Sequence, residues 1–317
     1  MLAFRYMTIA LVWLAATVSA QAAPLKVAKQ QITENRAHYS LELSYPKTGH
    51  PTIDRAIETW ARELAREFGD AATDPEMSAT PAWRAELNYE VPRNDGAVFS
   101  VAFSYYNFTG GAHPNSSSET FHFLLPDGYR AELAEIFTPR GIARISDISI
   151  ARLKRDLGGP DGMSDTDWIK RGAGANARNF RSFVLMPGAL AITFDAYQVA
   201  AYAAGPQEVR IPLSQIKDTM RADVRAPAAS FDCKLARSDV EQAICSSRDL
   251  ARLDRHLGEA YANKLIWAED DGKRAALRQA QRDWLKARDG TCLKAGQALV
   301  SCLMPVYQQR LAVLEAE

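Results

Sequence analysis

Residues 38–45 alternate cleanly. Tyr39, Leu41, Leu43 and Tyr45 fall on one side, and Ser40, Glu42 and Ser44 on the other. That period of two predicts a half-buried strand. The period then changes. Ile53, Ala56, Ile57, Trp60, Leu64 and Phe68 recur at helical spacing, and Gly69 is read as the stop. Leu87, Tyr89 and Val91 restore the alternation, and Asn94-Asp95-Gly96 is a turn signal. Phe99, Val101, Phe103 and Tyr105 form the next strand, with Ser100, Ala102 and Ser104 facing water. Phe121, Phe123 and Leu125 form another, closed by Pro126-Asp127-Gly128. Consecutive strands with one wet face predict an antiparallel sheet, and the helix is its natural cover.

The pattern returns once. Ser146 is the expected cap of a helix carrying Ile150, Leu153 and Leu157, stopped by Gly158-Gly159. Residues 159–178 read as a loop. Phe183 to Met186 and Leu190 to Phe194 flank Pro187-Gly188 as a hairpin, and Val209, Ile211 and Leu213 give a last strand, with Pro212 pointing to an edge or a strand end. After a proline-containing linker at 222–229 the strand signals vanish. Ser238 and Glu241 form a capping box. Leu250, Leu253, Leu257, Tyr261 and Leu265 make one helical stripe. Ala276, Ala280, Trp284 and Leu285 make a second, ended by Asp289-Gly290. Leu299, Leu303, Val306, Tyr307, Leu311 and Leu314 make a third, in which Pro305 is tolerable if it sits in the first turn. The fold class is α+β: a helix-covered antiparallel sheet region followed by a small all-α bundle. The expected units are an α+β module at 23–130, a second packed with it at 131–221, and a helical domain at 230–317.

Composition narrows the setting. The 317 residues carry 38 basic and 38 acidic side chains, which excludes a nucleic-acid binder working through bulk charge. Arg5, the apolar run Met7 to Val18 and small residues around Ala20 and Ala22 read as a secretory signal peptide over residues 1–22, too short to span a bilayer. No cysteine marks a lipid anchor there, so a soluble periplasmic protein is expected. All four cysteines lie beyond residue 230, and an oxidising compartment makes pairing their default. Of three possible pairings, Cys233–Cys245 with Cys292–Cys302 is expected, because both close short local loops. The spacings fit no common zinc site.

Chemistry is sparse. Thr193-Phe194-Asp195 reads as a strand end, and Asp161, Asp165 and Asp167 as a solvated loop that fails the EF-hand spacing. No G-x-S-x-G occurs, and His113 and His122 have no nucleophile beside them. No catalytic residue, cofactor or metal site is expected. Loops are the better candidates, because function sits on loops held by a rigid scaffold. Thr109 to Ser117 contains Gly110, Gly111 and His113; Tyr197 to Pro206 offers Tyr197 and Tyr202, residues favoured at interfaces. Glu269-Asp270-Asp271 is the sharpest acidic cluster in a C-terminal region of 14 basic and 13 acidic residues.

Two resemblances follow. Phe231-Asp232-Cys233, Val240 to Cys245, Leu250-Ala251-Arg252-Leu253-Asp254, Tyr261, Gln281 to Asp289, Cys292 and Cys302-Leu303 resemble the LprI-type lysozyme-inhibitor domain over roughly residues 230–315. Thr109 to Pro114, Leu133 to Phe137, and Phe194 to Ala200 with Tyr202 to Pro206 are similar to exported modules found in RsiV-like anti-sigma factors and beside peptidoglycan deacetylase domains. The first resemblance implies inhibition of lysozyme, and the RsiV-like module binds lysozyme. Together they imply a non-enzymatic periplasmic protein whose partner is lysozyme or a related muramidase, or alternatively peptidoglycan itself.

Overall fold

The computed structural model describes residues 23–73, 82–158 and 165–315. The leader read at 1–22, Gly159 and Asp161 lie outside the described residues. The chain opens with strand β1 (Ala28–Asn35) paired antiparallel to β2 (Tyr39–Lys47). Helix α1 (Pro51–Thr73) then crosses over, so β3 (Trp83–Asn94) lies parallel to β2. Strands β4 (Val98–Phe108), β5 (Asn115–Leu124) and β6 (Tyr129–Arg130) follow antiparallel, completing a six-stranded sheet in chain order. The expected antiparallel run is there, with one parallel pair inside the sheet. The alternating residues Leu41, Leu43, Leu87, Phe99, Val101, Phe103 and Phe121 pack against Ile53, Ile57, Ala61 and Phe68 of α1.

Gly69 does not end α1. A Cβ there would lie 3.0 Å from the Tyr39 hydroxyl, so glycine serves a close approach and the helix runs on to Thr73. Nor is the far face wet along its whole length. Ser100 and His122 are fully buried because a second sheet covers them. The His122 Nε2 donates to the Phe183 carbonyl at 2.5 Å, and Nδ1 accepts from the Ser100 hydroxyl at 2.7 Å.

That second sheet contains β7 (Phe183–Met186), β8 (Ala189–Phe194) and β9 (Gln207–Pro212), all antiparallel, with β9 at an edge. It is preceded by the short α2 (Leu133–Ile136), then α3 (Pro139–Leu157) and α4 (Thr166–Ala173). Two expectations fail here. Thr138, not Ser146, caps α3; Ser146 sits mid-helix and donates to the Ala173 carbonyl at 2.7 Å. The stretch read as a loop contains α4, capped by Asp165.

The C-terminal region is all helical: α5 (Asp239–Ser246), α6 (Arg248–Trp267), α7 (Asp271–Cys292) and α8 (Leu299–Glu315). The Ser238–Glu241 capping box starts α5 as expected. Cys233–Cys245 and Cys292–Cys302 are both bonded, with Cα separations of 5.7 and 5.6 Å. Helix α7 continues past Gly290 to Cys292, its one fully buried residue. Its inner stripe is not Ala276 and Ala280, which are exposed. Polar residues turn inward instead. Gln281 accepts from Arg310 at 3.0 Å, and Arg288 donates to the Tyr307 hydroxyl at 2.7 Å. That hydroxyl donates to Asp254 at 3.0 Å, and Trp284 packs edge-on against the Tyr307 ring. Pro305 lies inside α8 rather than in its first turn.

Candidate partner-binding surface

Two loops singled out by their glycines and tyrosines meet at one end of the first sheet. The hairpin between β4 and β5 places Gly110 at φ +82°, a conformation open to glycine at no cost, and carries His113 beyond it. The loop after β8 is anchored by Asp195. One carboxylate oxygen accepts from the Ser118 amide of β5 at 2.9 Å, and the other accepts from Arg181 at 2.9 Å. Gln198 closes the turn: its amide donates to the Asp195 carbonyl at 3.0 Å, and its side chain donates to the carbonyls of Gly172 and Asn179. A Cβ at Gly172 would collide with the Gln198 backbone oxygen, so α4 needs glycine there.

This scaffold holds Tyr197 at φ +67°, the one non-glycine residue with positive φ among those described. An aromatic residue in that region costs energy and persists only where its surroundings over-determine it. Trp168 of α4 donates its indole N–H to the Tyr197 carbonyl at 2.9 Å. The Tyr197 ring projects outward, 51% exposed. His113 stacks on Tyr202 with centroids 3.9 Å apart. Its Nδ1 donates to the Pro114 carbonyl at 2.9 Å, so Nε2 accepts from the Tyr197 hydroxyl at 3.2 Å. The Tyr202 hydroxyl also reaches Pro114, at 2.8 Å. Both imidazole nitrogens are thus engaged, and the three rings form one hydrogen-bonded aromatic cluster. His122 belongs elsewhere, in the seam between the sheets.

The acidic cluster has local work as well. Asp270 caps α7 by accepting from the Lys273 amide at 2.7 Å, Glu269 pairs with Lys273 and Asp271 with Arg274. No group of three or more His, Cys, Asp or Glu side chains is placed to hold a metal among the described residues.

A second feature had no sequence signal. Helix α2 presents Glu135 and its preceding residue Glu132 to α6. The Glu135 carboxylate is buried and takes Arg252 at 2.7 and 2.8 Å, while the Tyr129 hydroxyl donates to it at 2.7 Å. Glu132 takes Arg255 at 2.7 Å and His256 at 2.8 Å. Burial alone would raise the Glu132 carboxyl. The His256 hydrogen bond and the charges of His256, Arg255 and Arg252 outweigh it and hold the group well below the carboxylate range. Arg225, within the predicted linker, pairs with Asp127 at 2.6 Å, and Ser230 donates to Asp254 at 2.9 and 2.7 Å. The helical region is therefore docked on the sheet region by hydrogen-bonded charges that run from the buried Glu135 and Arg255 out to the exposed Arg225–Asp127 pair.

The helical region matches the family model described as lysozyme inhibitor LprI over residues 233–314. The C-terminal segment is an LprI-like domain. Ahead of it, residues 26–116 match the deacetylase PdaC model and residues 134–214 match DUF3298, a protein family of unknown function. The LprI domain is 33% identical over 95 residues to the lipoprotein LprI of Mycobacterium tuberculosis and of Mycobacterium bovis, covering 29% of this chain and 45% of each relative. A stretch of 187 residues is 26% identical to the peptidoglycan-N-acetylmuramic acid deacetylase PdaC of Bacillus subtilis, covering 58% of this chain and 39% of that protein. The chain thus spans less than half the length of these curated relatives. A crystal structure of a DUF3298 family protein from Pseudomonas aeruginosa PAO1 shares the fold, with a TM-score of 0.50 and 17% identity over 64% of this chain and 98% of that one. The motifs that make the LprI domain recognisable, including Asp254, Gln281, Trp284 and Arg288, are the ones that hold its helices together. The aromatic cluster of His113, Tyr202 and the exposed Tyr197 lies ahead of it in the chain.

Proposed function

We propose that this is an exported, cell-envelope binding protein that sequesters lysozyme or a related muramidase and so protects the wall. The LprI domain supports the partner class. The observation that carries the reading is Tyr197, an exposed aromatic residue held in a left-handed conformation by Trp168, Asp195 and Gln198. Strain of that kind, fixed by so many hydrogen bonds, marks a position kept for contact rather than for stability. Tyr197, Tyr202 and His113 form the knob, and Gly110-Gly111 lets the neighbouring hairpin lie close to a partner's cleft. Glu269, Asp270 and Asp271 offer an acidic rim to a basic enzyme. The leader at 1–22 delivers the chain to the periplasm, where its four cysteines stay oxidised.

In a turbidity assay on cell walls, the protein is expected to suppress lysis and to form a complex on gel filtration. Full lytic activity at large excess, with no complex, contradicts the proposal. The match to PdaC, named for its action on peptidoglycan, favours a second reading in which the same surface binds wall glycan. Pull-down on purified glycan separates the two.

A further inference from the structure

Trp168 does more than hold Tyr197. On α4 it lies three residues before Arg171, so the two side chains share one face about 4.5 Å apart along the helix. The Arg171 guanidinium carbon sits 4.9 Å above the ring of Trp267, the last residue of α6. Arg171 forms no ion pair among the described residues, and its Nε is buried without a hydrogen-bond partner. Trp267 is 56% exposed and its neighbour Ile266 is 52% exposed. One residue further on, Glu269, Asp270 and Asp271 begin, and Glu269 and Asp271 stay exposed although they pair with Lys273 and Arg274. The contact surface around Tyr197 is therefore continuous with the end of α6 in the LprI domain.

We propose that this stripe, Tyr197–Trp168–Arg171–Trp267, is a single footprint through which the DUF3298 region and the LprI domain grip one molecule of a basic globular protein together. Tyr, Trp and Arg are the residue types that dominate binding energy at protein interfaces. Both ends of the stripe project more than half exposed, so they are knobs that fit a partner's concavity; a sugar ring needs a concave subsite of its own. The acidic residues after Trp267 supply the rim that a basic partner meets. The contacts of buried Glu135 and partly buried Glu132 with α6 fix the two ends relative to each other, which removes the entropic cost of ordering them on binding.

This inference rests on the muramidase-binding reading and is tested apart from it. The full chain is titrated calorimetrically with a basic lysozyme, alongside Trp267→Ala, Trp267→Arg and Tyr197→Ala. The expected result is one-to-one stoichiometry and a Kd weakened tenfold or more by each variant. Trp267 is exposed, so its variants should keep the wild-type circular dichroism spectrum and Tm. If both Trp267 variants bind like the wild type while Tyr197→Ala does not, the single footprint is wrong and the muramidase reading stands. Two lysozymes per chain also overturns it. No binding by the wild type overturns the reading and the inference together.

Discussion

Tyr197 combines a conformational cost with an exposed ring, and the two are separable by substitution. At φ +67°, alanine keeps the backbone strain and glycine relieves it. Tyr197→Gly should therefore be more stable than Tyr197→Ala by about 1 kcal/mol in urea unfolding, although both lose the ring and should lose lysozyme binding equally. Equal stability would mean that the left-handed conformation is not enforced. His122 makes a second prediction. Burial, with Arg93 and Arg130 nearby, overrides its bond to the Phe183 carbonyl and pulls the imidazole down to about 4. The unfolded chain takes up the proton near pH 6.5 and the native seam refuses it. Stability should therefore fall by about 3 kcal/mol as pH drops from 6.5 to 4. The His122→Gln variant should lose that portion of the slope, as followed by urea titration at each pH.

At the scale of elements, the strands facing α1 were legible because one face is apolar and the period of two survives. Strand β1 carried no such signal: its sequence AKQQITEN is polar on both faces, and its place is fixed by pairing with β2. Helix α4 is only eight residues long, too short for periodicity to stand out from its glycine-rich surroundings. In α7 the apolar spacing points to the wrong face, because Gln281 and Arg288 turn inward to serve Arg310 and Tyr307, and a hydrophobic count cannot see a polar network. The cysteine pairing was readable because both loops are short. The Cys292–Cys302 bridge fastens the end of α7 to α8, and Cys292→Ser with Cys302→Ser should cost about 2–4 kcal/mol in denaturant unfolding. A loss near zero would show that the bundle holds α7 without it.

Across the whole molecule, the loops near His113 and Tyr197 could be named separately from their residues, but their meeting depends on the Ser118–Asp195 bond between β5 and the end of β8. The seam between α2 and α6 was invisible for the same reason: Arg252 and Glu135 are 117 residues apart. Glu135→Ala leaves the Arg252 charge in a partly buried seam, and thermal unfolding should show a loss of about 3–5 kcal/mol with the LprI domain melting separately. Glu132 adds a pH signature. Its carboxyl is depressed in the folded chain, so its contribution is complete above the ordinary glutamate value of about 4.3 and is lost as pH falls further. The stability difference between wild type and Glu132→Gln should therefore be full at pH 7 and shrink below about pH 4. The most direct test of the whole account is calorimetric titration of the oxidised full chain with lysozyme, paired with a wall-lysis assay on the same sample. A one-to-one complex and suppressed lysis are expected, both impaired by Tyr197→Ala. Unimpaired lysis with no heat of binding would contradict it.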